Sequence, residues 1–186
     1  MTVIRRITKE NASSVRMIVE PVLVGDVTLL RIGRSSLSLC YVPARPAVMQ
    51  AFPPNEHVDF SLALSDKSTA LFAAFDDATC VGTALVLARG DGWGDILDIR
   101  VEANACRKGI GRSLLDACEA FACKAGCAGL HLAVSDSNPG ACQFAEKCGF
   151  TLQGFDRHAL IHTRTEKSKP LAARAVLLHM YRNKKG

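Results

Sequence analysis

Apolar and polar positions change period along this chain, and the changes mark its elements. Residues 2–8 carry a short strand-like pattern through Val3, Ile4 and Ile7, and Thr8-Lys9-Glu10-Asn11 is suited to opening a short helix. Residues 20–68 resist such a reading. Apolar runs at Val22–Val24 and Leu37–Val42 are followed by Pro43, Pro46, Pro53 and Pro54. Proline lacks an N–H and fixes φ, so it excludes a central strand or a mid-helix there, and the region is expected to be irregular. From residue 69 the pattern sharpens. Ala70–Phe75 and Val81–Ala88 predict two strands joined by the turn Asp76-Asp77-Ala78-Thr79. Gly90–Gly94 forms a second turn leading into a strand over Asp95–Val101.

The period then becomes helical. Ile110, Leu114, Cys118, Phe121, Ala122 and Ala125 share one face of a helix running from about Gly109 to Ala125, with Gly126 as its C-terminal stop. Leu130–Val134 predicts a short strand. Pro139 suits a first helical position, and a helix over Ala141–Cys148 ends at Gly149. Two final strands are expected at about Leu152–His162 and Ala173–Tyr181, around the charged loop Thr163–Pro170. Strands alternating with helices in this way describe an α/β domain with a mixed sheet.

Composition narrows the class. With 186 residues the chain can bury a sizeable core, and it reads as a single domain, 1–186, with residues 69–183 as the interpretable part. A hydrophobic fraction of 48% and 22% charged residues are ordinary for a soluble globular protein. Net charge is +5, yet the cations are scattered and aromatic residues make up only 6%, so stacking platforms for nucleic acid are poorly supplied. No apolar run reaches the length of a membrane span, and the start lacks the apolar core of a signal peptide. Eight cysteines in that setting predict free thiols in a reducing cytoplasm. Their spacing has no CxxC pair, so no metal site is expected.

The richest segment is ILDIRVEANACRKGIGRSL, residues 96–114. Gly109 and Gly111 let main-chain N–H groups approach a ligand uncovered by a Cβ. The helix that follows leaves its first N–H groups without intrahelical partners and adds the positive end of its dipole. Arg107, Lys108 and Arg112 add full charges, so the segment predicts a strand–phosphate-loop–helix unit. It is not a nucleoside-triphosphate loop, which needs Gly-Lys-Ser/Thr where Ile110-Gly111-Arg112 stands. Nor is it the dinucleotide fingerprint, which needs a small residue at Leu114.

Two carboxylates stand nearby. Asp95 and Asp98 are candidate general bases, and their spacing of three in a regular strand sends them to opposite faces. The structural alternatives are a strand-end role for Asp95 and an ion pair of Asp98 with Arg100 or Arg157. Glu102 is expected to face solvent. His131 reads as a satisfied structural histidine, Trp93 as a packing residue, and His158, His162 and His179 as residues free to line a pocket. Cysteine chemistry is disfavoured because no thiol sits in a nucleophile–base arrangement.

The string Ile99-Arg100-Val101, then Arg107-Lys108-Gly109-Ile110-Gly111, Asn138 and Glu146-Lys147-Cys148-Gly149-Phe150 resembles the GNAT N-acetyltransferase superfamily. Over about residues 70–164 it is similar to streptothricin acetyltransferases, most clearly at Ala141-Cys142 and Lys147–Leu152. The resemblance implies a mostly antiparallel sheet of six to seven strands with splayed central strands and flanking helices. It implies acetyl-CoA as cosubstrate, in a cleft between the strand ending at Val101 and the strand Leu130–Val134. Diphosphate would rest on Cys106, Arg107, Lys108, Gly109, Ile110 and Gly111 and on the helix start at Arg112 and Ser113. The pantetheine amides would pair with the strand edge at Ile99, Arg100 and Val101. Asn138, Cys142 and Lys147 would approach the cofactor from the second helix.

Two positions depart from the family pattern. Cys106 stands where Gln or Arg is usual, and Ala145 stands where the family commonly has a tyrosine as general acid. The implied reaction is acetyl transfer to a primary amine of a small molecule, with a streptothricin-like antibiotic as candidate acceptor. A protein lysine or N-terminus, and a non-catalytic acetyl-CoA-binding module, are the rival readings. A homodimer is left open.

Overall fold

The computed structural model describes residues 2–16, 18–52, 64–159 and 175–184. Nine strands and two α-helices are present among them: β1 Val3–Ile7, β2 Val22–Ile32, β3 Leu37–Gln50, β4 Thr69–Asp76, β5 Thr79–Ala88, β6 Trp93–Val101, α1 Ile110–Lys124, β7 Gly129–Ser135, α2 Pro139–Lys147, β8 Thr151–Asp156 and β9 Leu177–Asn183. Seven strands pair in the order β1-β4-β5-β6-β7-β9-β8, and β2 with β3 forms a separate two-stranded sheet. The pairs β1–β4, β4–β5, β5–β6 and β8–β9 are antiparallel. This is the mostly antiparallel α/β architecture expected from the sequence.

The chain divides into two compact units. The first, residues 1–20, 51–131 and 183–186, holds β1, β4, β5, β6, α1 and the start of β7. One face of its sheet is covered by α1, whose Leu114, Leu115, Cys118 and Ala122 are buried. Gly82 on β5 permits that approach: a Cβ there would meet Ile110 and Leu114 side chains at 3.2 Å. The other face carries Ile7, Leu71, Phe75 and Leu85, packed against Ala12, Val15, Leu64 and Leu97. Thr8–Asn11 does not begin an α-helix. Asn11 instead precedes a single 3-10 turn over Ala12–Ser14.

The second unit, residues 21–50 and 132–182, overturns the expectation of an irregular 20–68 region over residues 22–50; residues 53–63 lie outside the described residues. Strands of 11 and 14 residues form a long hairpin over 22–50. Pro43 and Pro46 are tolerated because a two-stranded sheet has no central strand, while Pro53 and Pro54 lie outside the described residues. Pairing also jumps from Val24↔Val48 to Asp26↔Pro43, so Pro46 falls within a bulge. Helix α2 lies against this hairpin, with Gln143 Nε2 donating to Asp26 Oδ2 at 3.2 Å and the Tyr41 hydroxyl donating to Glu146 at 2.6 Å. Strand β8 ends at Asp156, because residues 157–159 turn back and the His158 and Ala159 N–H groups cap the Asp156 carboxylate. The remainder of that expected strand, His162, the loop 163–170 and the start of the last expected strand lie outside the described residues.

Candidate active site

The phosphate-loop segment is built as its sequence predicts. Strand β6 ends at Val101, a 3-10 turn covers Ala103–Ala105, and α1 begins at Ile110. Between them Arg107 has φ 62° and Gly109 has φ 84°, both left-handed. A non-glycine residue in that region costs energy, so the loop is held by its surroundings. Buried Ile110 anchors the helix start, while Cys106, Arg107, Lys108 and Gly109 are exposed, as are Arg112 and Ser113 in the first turn. Gly111 is half-buried. Among the described residues, no side chain caps the N-terminus of α1, and nothing lies within 4 Å of where a Gly109 Cβ would sit. A helix start with no side-chain cap, with Arg107, Lys108 and Arg112 close by in sequence, is an arrangement suited to a diphosphate.

Asp95 and Asp98 do not lie on opposite faces. Pairing runs Leu87↔Asp95, Val86↔Ile96 and then Leu85↔Asp98, so Leu97 is an extra residue in β6. A one-residue bulge reverses the alternation beyond it. Both carboxylates therefore sit opposite Leu85 and Leu87, which share one face of β5, on the side away from α1. Asp95 Oδ1 lies 2.5 Å from His131 Nδ1, and Arg89 Nη1 lies 3.7 Å from its other oxygen. His131 is thus the satisfied buried histidine that was expected.

Asp98 pairs with Arg100. Arg100 Nε donates to both of its carboxylate oxygens, at 2.9 and 3.1 Å. Burial pushes the Asp98 carboxyl above the ordinary range, and the Arg100 charge offsets part of that rise. The Arg100 Nη1 also donates to the carbonyls of Ile18 at 3.2 Å and Phe52 at 2.7 Å. Ile99 and Val101, half-buried, sit on the α1 side of the same strand.

Glu102 is buried rather than solvent-facing, since Arg16 forms an ion pair with it. Next to it the Ala103 N–H donates to Glu20 Oε2 at 3.1 Å. Arg16, Ile18 and Glu20 had no motif in the sequence.

In the second unit, Asn138 caps α2: its Oδ1 accepts from the Ala141 N–H at 3.1 Å, so that oxygen is already used. Cys142 is fully buried, and its thiol bonds the Ser135 carbonyl at 3.6 Å. Burial pushes that thiol up to about 12. Lys147 is exposed in the last turn of α2, at the opposite end of the helix from Asn138. Ala145 is fully buried. Tyr41, which the sequence left unremarked, has its hydroxyl raised well above the usual tyrosine value, first by burial and then by Glu146. Among the described residues, no group of three or more histidine, cysteine or acidic side chains is placed to hold a metal ion. No helix there is long and apolar enough to cross a membrane.

A left-handed loop before an uncapped helix start, at the end of a bulged strand, is an arrangement suited to an anion. The acetyltransferase (GNAT) family model matches residues 36–150, and the chain belongs to that family. It is similar to a streptothricin acetyltransferase from Escherichia coli, 29% identical over 120 residues, which span 63% of this chain and 64% of the relative. Two solved structures share its fold. One, from Bacillus anthracis and provisionally assigned as a streptothricin acetyltransferase in complex with acetyl coenzyme A, is 17% identical with a TM-score of 0.84, covering 100% of this chain and 98% of the other. The other, a nourseothricin acetyltransferase, is 21% identical with a TM-score of 0.75 and 98% coverage of both chains.

Proposed function

We propose that this chain is an acetyl-CoA-dependent N-acetyltransferase that moves acetyl directly onto the primary amine of a small molecule. The observation that carries the reading is the uncapped start of α1, opened by left-handed Arg107 and Gly109 beside Lys108 and Arg112. The complex of a structural neighbour with acetyl coenzyme A supports the choice of anion. In this reading the N–H groups from Arg107 to Ser113 grip the diphosphate, and the main chain of Ile99–Val101 pairs with the pantetheine amides as an added strand does.

Attack on a thioester requires a neutral amine, and Asp98 is the group that takes the ammonium proton. A carboxyl raised by burial is a better base near neutral pH than an ordinary one. Asp95, held by His131 and Arg89, adds negative charge on the same face and favours a cationic acceptor. The carbon–sulfur bond then breaks and CoA leaves as thiolate. Its thiol is comparable to free cysteine, with a pKa of about 8.5, so departure needs no general acid. That fits a chain with Ala145 in place of a hydroxyl, whose Cys142 at about 12 is too weak an acid to supply a proton. Streptothricin-type antibiotics head the acceptor candidates because relatives carry that name.

Buried Ala145 also favours a second reading, a module that binds acetyl-CoA without turnover. Free-thiol release from acetyl-CoA, measured over streptothricin, simple diamines and lysine or N-terminal peptides, separates the two. The expected result is amine-dependent release that falls by about 10²-fold or more in Asp98→Asn. Saturable binding with no release on any amine selects the non-catalytic module. No binding of acetyl-CoA at millimolar concentration defeats both.

A further inference from the structure

Arg100 does more than neutralise Asp98. Its one side chain joins three segments far apart in sequence: Asp98 on its own strand, the Ile18 carbonyl 82 residues away and the Phe52 carbonyl 48 residues away. The pair is well shielded, with side-chain exposures of 16% for Arg100 and 8% for Asp98. Burying two charges costs several kcal/mol of desolvation, on the order of what their attraction returns, so such a pair is a weak source of stability. Its geometry is informative in another way. Guanidinium presents donors in a rigid planar fork, which lets one residue hold a carboxylate and two carbonyls at fixed angles, as a lysine ammonium on its flexible stem does not.

The same stretch is gripped twice more. Arg16 pairs with Glu102, and Glu20 accepts the Ala103 N–H. Residues 16, 18 and 20 thus clasp residues 102, 100 and 103, where β6 runs into the phosphate loop. The clasp lies on the Asp98 side of β6, and all of it belongs to the first compact unit.

We infer that Arg100 is a positioning residue that holds the main chain at Ile18 and Phe52 against the Asp98 face of β6 as a wall of the amine-acceptor site. This deepens the reading above and rests on it for the identity of the reacting face. The diphosphate grip depends on a different set of groups, the main-chain N–H donors after residue 106. The two functions therefore separate. Loss of the fork loosens the acceptor wall and leaves the diphosphate grip intact.

The experiment compares wild type with Arg100→Lys and Glu20→Ala in three measurements. The first is hydrogen exchange of peptides covering residues 14–20 and 98–104. The second is the acetyl-CoA Kd by calorimetry, and the third is KM for the amine against kcat. Arg100→Lys keeps the charge beside Asp98 but not the fork. It is expected to speed exchange in both peptides by about 10-fold, one decade per 1.4 kcal/mol. It should raise KM for the amine by a similar factor, and the acetyl-CoA Kd by much less. Glu20→Ala alters an exposed residue, so it tests the clasp even if Arg100→Lys fails to fold; the same changes at smaller amplitude are expected. Unchanged exchange in both variants overturns the inference. So does a rise in acetyl-CoA Kd that matches the rise in amine KM, because Arg100 is then only structural. If wild type acetylates no amine, the proposed function falls while the exchange data still decide whether the clasp exists.

Discussion

Gly109→Ala isolates what the loop before α1 does. Gly109 has φ 84° and ψ −3°, and no atom lies within 4 Å of its would-be Cβ. The added methyl therefore clashes with none of the described residues, and its cost in the folded chain is conformational, about 1–2 kcal/mol for an L-residue held left-handed. In a chain of this size that lowers Tm by about 2–8 °C. If a diphosphate seats in that open space, the methyl also pushes it off one or more N–H donors. A hydrogen bond to a charged group contributes about 1.5–3 kcal/mol, so the acetyl-CoA Kd should rise by about 10- to 100-fold.

Gly126, at the other end of α1, supplies the control. It has φ 89° and the same empty surroundings, so Gly126→Ala carries the same conformational cost with no ligand nearby. Thermal unfolding and calorimetric titration of both variants give the answer. Equal Tm losses with weakened binding in Gly109→Ala alone are expected. Wild-type affinity in Gly109→Ala, or an equal loss of affinity in Gly126→Ala, shows that the loop does not hold the diphosphate.

Two further tests address the scaffold and the carboxylate. A Cβ on Gly94 would lie 2.5 Å from the Ala122 Cβ and 3.0 Å from Leu130 Cδ2. Gly94→Ala should therefore cost about 1–3 kcal/mol and lower Tm by about 2–12 °C. Adding Ala122→Gly should recover part of that loss, whereas strictly additive effects would show that α1 does not press on β6 there. For Asp98, burial raises the folded-state value above that of the unfolded chain, so the folded protein holds the proton to higher pH. Stability falls as pH rises from the ordinary carboxylate range through the raised value. Asp98→Asn should flatten that portion of the urea-denaturation profile. An unchanged slope would assign the titration to another group.

The elements legible in the sequence are those set by interactions within a few residues. The alternation of Val81–Ala88, the 3.6-residue spacing from Ile110 to Ala122, the stop at Gly126 and the start at Pro139 are local signals, and β5, α1 and α2 follow them closely. The phosphate loop was readable for the same reason, since glycines, cations and a helix start lie within seven residues. The hairpin of β2 and β3 was not, because prolines forbid a strand only where it must donate on both sides, and which strands stand alone is a question of partners. The shared face of Asp95 and Asp98 arises from a bulge that exists only through pairing with β5. Burial of Glu102 depends on Arg16, and the partners of Arg100 lie 82 and 48 residues away. Short-range preferences write themselves into spacing. Register and long-range contacts are settled when distant segments meet, and those contacts orient the candidate base and the acceptor wall.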